Sequence, residues 1–202
     1  MMGLMLAAAS SAGPLLAAVV TVNVTDQAKA PVEGTVVVFD PLDDLPPPAR
    51  NTAVIDQIDK RFSPRISVIR TGTAVAFPNS DHIRHQVYSF SPAHPFNLKL
   101  YAGSPRMEEV FALPGLVILG CNIHDTMVAF VAVVDSPYFA KVAASGTAEV
   151  NLPPGRYRLR VWHPNVTSAL DPQQLSVGAA PMTIPISLDI DPSRETPATW
   201  PE

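Results

Sequence analysis

The sequence predicts an all-β protein of the β-sandwich kind, and three observations carry that expectation. Twenty-two prolines against ten glycines are spread along 202 residues, and proline removes a backbone donor and clashes inside a helix, which favours short extended segments joined by stiff turns. Short apolar and β-branched runs recur between turn signals, about seven or more of them, at the spacing of a sandwich. No long stretch has the periodicity of an amphipathic helix, and no internal repeat is present. A hydrophobic content of 47% with 16% charged residues provides a packed core rather than a disordered chain.

Taken in order, Val19 to Val24 reads as a strand, Thr25 to Pro31 as a turn, and Gly34 to Phe39 as a second strand, expected to pair antiparallel with the first. Pro41 to Asn51, which contains Pro46-Pro47-Pro48, fits neither ladder nor helix and reads as a loop or linker. A second series follows at 66–69, 74–77, 86–90, 96–100, 108–113, 116–119 and 128–134. Turn signals such as Thr71-Gly72, Pro78-Asn79-Ser80-Asp81 and Pro114-Gly115 separate its members. A last group comprises 148–150, 157–162 and 184–188, and the polar, proline-containing stretch 191–202 reads as a loose tail.

Met1 to Ala18 is apolar or small and uncharged, as in the hydrophobic region of a secretory signal, with Ala17-Ala18 as a cleavage point. The basic residue that normally precedes such a region is missing, since the first is Lys29. A membrane anchor is the competing reading, but Ser10, Ser11, Gly13 and Pro14 interrupt the run and a span needs about 20 apolar residues. The expectation is a periplasmic or otherwise exported protein with no stable membrane span after signal removal. A net charge of -4 leaves no basic footprint for nucleic acid.

The chemistry is concentrated in Gly120-Cys121-Asn122-Ile123-His124-Asp125-Thr126-Met127, which holds the single cysteine. One cysteine forms no internal disulfide, and in an oxidising compartment a bound metal would occupy the thiol. Thiolate, imidazole and thioether form a soft-donor set that suits copper better than calcium or magnesium. One more imidazole would complete a His₂Cys centre with a weak axial Met. His85, which opens the strand 86–90, ranks first for that role, ahead of His82 in the polar turn and His94 between Ala93 and Pro95.

The order Asn79, His85, Cys121-x-x-His124-x-x-Met127, with Gly72 and Phe77 upstream, resembles the cupredoxins, with an amicyanin-like ligand loop. The strings His85 to Pro92 and Gly120 to Asp125 also look like periplasmic cupredoxin-domain proteins of the methylamine utilization type. The resemblance implies a Greek-key sandwich, copper held as Cu(I)/Cu(II) by His85, Cys121, His124 and Met127, a bracing hydrogen bond from Asn79 to the ligand loop, and a protein redox partner. Two departures stand out. Asp125 follows His124 where amicyanin-type loops carry proline, and Gly120 precedes the cysteine where an aromatic is usual. A carboxylate beside the second histidine would repel an acidic partner and could hold a protonated imidazole off the metal at low pH.

The flanks, Val22 to Val38 and Leu152 to Val161, resemble the two halves of a carboxypeptidase regulatory-like domain. The expected organisation is a small β-sandwich from 19–46 and 136–190 that accepts a cupredoxin domain, 53–135, as an insertion. Taken singly, Cys121 would be a buried hydrophobe and Met127 core filler; it is the spacing of the set, with a histidine upstream, that points to metal. His163 reads as a strand-end residue and Trp162 and Tyr157 as core aromatics. The leading functional expectation is a carrier of single electrons. The alternative is a copper-handling or assembly protein, and a third reading is a sandwich that binds nothing. Phosphate-loop, Gly-x-Ser-x-Gly and His-Glu-x-x-His motifs are absent from the sequence, so an enzyme is not expected.

Overall fold

The computed structural model describes residues 17–47, 49–105, 107–194 and 197–201. The expected leader lies outside them except for Ala17 and Ala18. Among the described residues there is no helix, and so none long and apolar enough to cross a membrane.

The described residues form seventeen strands: β1 (Ala18–Asp26), β2 (Val36–Pro41), β3 (Thr52–Val54), β4 (Asp56–Ile58), β5 (Arg61–Ser63), β6 (Ile66–Arg70), β7 (Thr73–Ala76), β8 (His85–Ser89) and β9 (Phe96–Tyr101), followed by β10 (Glu109–Phe111), β11 (Gly115–Gly120), β12 (Val128–Val134), β13 (Phe139–Lys141), β14 (Thr147–Leu152), β15 (Gly155–Trp162), β16 (Gln173–Val177) and β17 (Met182–Leu188). The first and last parts of the chain form two sheets, β14-β1-β17 and β13-β2-β15-β16. The middle forms three: β6-β12-β11-β8-β9, β10-β7-β3 and the hairpin β4-β5.

Three buried clusters hold these sheets together. Val20, Val22 and Val24 of β1 face Val37 and Phe39 of β2 in the first. The second lies under β12 and β11, with Val117, Leu119, Val131 and Val133 against Phe77 and Phe111. The third joins the two halves, placing Val36 and Val38 of β2 and Trp162 of β15 against Ile66, Phe130, Ala132 and Val134. Alternation of side chains across a strand explains the near-continuous apolar runs of β2 and β12, because successive residues face two different cores. Each fully buried valine or phenylalanine contributes about 1.5–3 kcal/mol.

The structure departs from expectation in three places. β1 and β2 do not pair with each other, because β14 (antiparallel) and β17 (parallel) already occupy both edges of β1. Gly34, at φ +80°, turns the chain toward the facing sheet, where β2 pairs with β13 and β15. The strands β3, β4, β5, β13 and β16 were not expected, and three residues are too few for alternation to register in β3, β4, β5 and β13. The described part of the tail is not loose. Trp162 Nε1 donates to Ala198 O (3.0 Å), Arg160 stacks on Trp200 and donates to Pro201 O (3.1 Å), and Ala198 is buried.

Candidate metal centre

β11 and β12 are antiparallel neighbours in continuous register from Gly115↔Val133 to Gly120↔Val128, and the loop from Cys121 to Met127 joins their ends. Inward alternation along β11 runs through Val117 and Leu119 to Cys121, which is 3% exposed. The loop closes in a tight turn, with Met127 N–H donating to His124 O (2.9 Å) and Val128 N–H to Thr126 O (3.1 Å). That turn buries Met127 in the same core as Cys121 and leaves His124 half-buried, while Asn122, Ile123, Asp125 and Thr126 are exposed.

His85 arrives from β8, the strand that pairs with β11 on its other edge. It is completely buried. Its Nδ1 lies 3.8 Å from Cys121 Sγ, and its ring centroid lies 5.4 Å from that of His124. One donor atom from each of His85, Cys121 and His124 falls within 4.8 Å of the others. His124 Nδ1 is buried without a hydrogen-bond partner. A buried orphan nitrogen is costly, and a metal shared with a thiolate and a second imidazole would satisfy it; the donor set fits copper. Three of the four expected donors therefore converge, and Met127 packs in the core beneath them.

The rival histidines lie elsewhere. His82 is exposed in the turn before β8. His94 stacks on Phe96 (5.0 Å) and Phe111 (4.3 Å) and approaches the Glu109 carboxylate at 3.4 Å.

Asn79 does not brace the ligand loop in the way expected. Its amide nitrogen donates to Ile83 O (2.9 Å) and Tyr101 O (3.0 Å), and its Oδ1 accepts from Asp81 N–H (3.0 Å), so it shapes the turn that leads to His85. The Cys121 loop is tied instead by Asn122 Nδ2, which donates to Gln86 Oε1 (3.0 Å), and Gln86 in turn donates to Asn97 (2.7 Å). Two features escaped the sequence reading. Asp81 Oδ2 sits 2.7 Å from His85 Nε2. Burial acts to raise its carboxyl, but the Lys60 amide, the His85 ring and the Asp59 amide outweigh that and hold its pKa below the ordinary carboxylate value. Tyr101, opposite His85 on β9, is pushed up to about 12, chiefly by burial. Its hydroxyl donates to Phe77 O (2.7 Å) and accepts from Gln57 Nε2 (2.6 Å).

No protein-family model and no curated relative matches the chain. The solved structures that resemble part of it include cupredoxins. A purple cupredoxin from Nitrosopumilus maritimus is 26% identical over 40% of this chain and 98% of its own, at a TM-score of 0.36. A copper-containing nitrite reductase from Thermus scotoductus is 23% identical over 46% of this chain and 25% of its own, at 0.37. An oxidised mutant of amicyanin is 16% identical over 41% of this chain and 82% of its own, at 0.38.

Proposed function

We propose that His85, Cys121, His124 and Met127 hold one copper ion and that the protein carries single electrons between protein partners. The observation that carries this reading is the convergence of one donor atom each from His85, Cys121 and His124 within 4.8 Å of one another, with His85 Nδ1 3.8 Å from Cys121 Sγ. Bound there, copper supplies a one-electron couple whose oxidised form favours the imidazoles and whose reduced form favours the thiolate, with a thioether tuning the balance. This chain's residues supply rigidity and exclusion of water. Cys121 and His85 are closed off from solvent, and of the three converging residues His124 alone is partly exposed. A buried pair with one accessible edge suits electron exchange better than metal delivery, in which the ligands themselves must reach the recipient. No bond-making step is assigned.

Export, with the apolar run Met1–Ala18 as the leader, and a metal domain at 53–135 inserted between halves at 19–46 and 136–190 complete the reading. The second part draws support from the way strands of the middle pair only among themselves.

Titration of the metal-free protein with Cu(II), followed by visible absorption and by voltammetry, tests the proposal. An intense thiolate-to-copper charge-transfer band, lost in Cys121→Ser with the fold retained, is expected. A Cu(II)-loaded protein that stays colourless overturns it, and tight Cu(I) binding without colour would instead support the copper-handling alternative.

A further inference from the structure

We infer that Asp81 is the positioning residue of the metal centre, fixing the tautomer and aim of His85, and that the tip of the β4-β5 hairpin holds Asp81 in place for this. The inference rests on the copper reading for its purpose, though not for its geometry. A deprotonated carboxylate only accepts hydrogen bonds, so the 2.7 Å contact between Asp81 Oδ2 and His85 Nε2 puts the ring proton on Nε2. The lone pair of Nδ1 is then left facing Cys121 Sγ. Imidazole ligands are commonly aimed in this way by a carboxylate on the other nitrogen.

The carboxylate is itself clamped. Asp59 N–H donates to Oδ1 (2.7 Å) and Lys60 N–H to Oδ2 (2.8 Å). These two residues form the two-residue loop between Ile58 and Arg61, and both have positive φ, 51° and 58°. That is the conformation a tight hairpin of this hand requires, and it directs successive amides at one anion. A second carboxylate, Asp56, holds the same turn through Ser80 N–H (3.3 Å) and Ser80 Oγ–H (2.7 Å) but makes no contact with His85. The hairpin thus anchors the turn twice, and only one anchor reaches the imidazole.

Asp81→Leu separates aiming from anchoring, because it removes the acceptor on the Nε2 side while Asp56 still holds the turn through Ser80. A proton on Nε2 then has no acceptor, and the ring is no longer biased toward that tautomer. Asp81→Asn is the conservative control: with its amide oxygen in the place of Oδ2 it still accepts from both Lys60 N–H and His85 Nε2–H and gives up only the Asp59 amide. The test is ¹⁵N NMR of the imidazoles in the reduced, copper-free protein, together with copper affinity and midpoint potential, for wild type, Asp81→Leu, Asp81→Asn and Asp56→Asn. Expected are an Nε2–H tautomer for His85 in wild type, Asp81→Asn and Asp56→Asn, and loss of that preference in Asp81→Leu. Cu(II) affinity in Asp81→Leu should fall about 10- to 100-fold, with a higher potential because Cu(II) suffers more than Cu(I). An Nδ1–H tautomer in the wild type overturns the inference, as does an Asp81→Leu protein with unchanged tautomer and affinity. Should Asp81→Leu fail to fold, the wild-type tautomer still decides. A wild type with the expected tautomer that binds no copper refutes the copper reading and leaves the aiming role standing.

Discussion

At Gly120, next to Cys121, Tyr88 crowds the space a side chain would need. A Cβ built there would lie 2.7 Å from Tyr88 Cζ and 2.8 Å from its hydroxyl, and the two residues pair across β11 and β8. The ring also packs on Phe90, at 5.0 Å between centroids. The aromatic cover usual before such a cysteine thus comes from the neighbouring strand. Gly120→Ala should lower stability by about 1–3 kcal/mol by overpacking. A double-mutant cycle with Tyr88→Ala, read by chemical denaturation, should return a coupling of about 0.5–3 kcal/mol, whereas additive costs would refute the packing account. Met127, 1% exposed, packs in the core and is also the thioether donor of the proposed copper site. Met127→Leu nearly conserves volume and should cost less than about 1.5 kcal/mol, yet it removes the thioether and should raise the midpoint potential by voltammetry.

At the scale of the element, β12 does two jobs with alternate residues. Ala129, Val131 and Val133 pack in the same core as Cys121 and Met127, while Phe130, Ala132 and Val134 form the joint with β2 and β15. Phe130 meets Trp162 edge-on at 5.8 Å between centroids and has Arg65 over its face at 5.5 Å. Phe130→Ala should therefore cost about 3–5 kcal/mol and leave the charge-transfer band where it was, because the lost side chain faces away from the donors. A shifted band in an otherwise folded variant would show that the two faces are coupled. How much of this was legible in the sequence follows from the same strand. Its apolar run marked it as buried, and the turn residues around it fixed the neighbouring strands and the Cys121 loop. Partners could not be read in the same way, since β1 pairs with β17, which lies far along the chain, rather than with β2 next to it. His85 could be ranked ahead of His82 and His94 because it alone opens a strand. Asp81 could not be singled out, because its role depends on amides of a hairpin tip about twenty residues earlier whose strands are too short to leave a pattern.

On the scale of the whole molecule, the two halves meet at a joint that contains a titratable group. His163 follows β15, while Glu33 precedes β2 and Arg65 precedes β6, so three segments converge on one imidazole. Its pKa is lowered to about 4, first by burial and then by the charge of Arg65, against a hydrogen bond to the Glu33 backbone that favours the charged form. An unfolded histidine titrates near its ordinary value of about 6.5. Between about 6.5 and about 4 the unfolded chain binds the proton and the folded chain refuses it, so acid favours unfolding over this window. Above it His163 is neutral in both states and its contribution is flat. Below it both states are protonated and the loss from this group is complete. The carboxyls of Asp43, Asp81, Asp189 and Asp191 are all held below their ordinary value of 3.8, so the stability they lend is lost chiefly below the histidine window. Denaturant unfolding of the metal-free protein at a series of pH values should show stability falling from about pH 6.5 toward 4. His163→Gln, which cannot take up the proton, should be less stable at neutral pH but lose less stability across the same interval. Equal slopes for wild type and His163→Gln would place the acid sensitivity elsewhere and remove the joint between the halves as its origin.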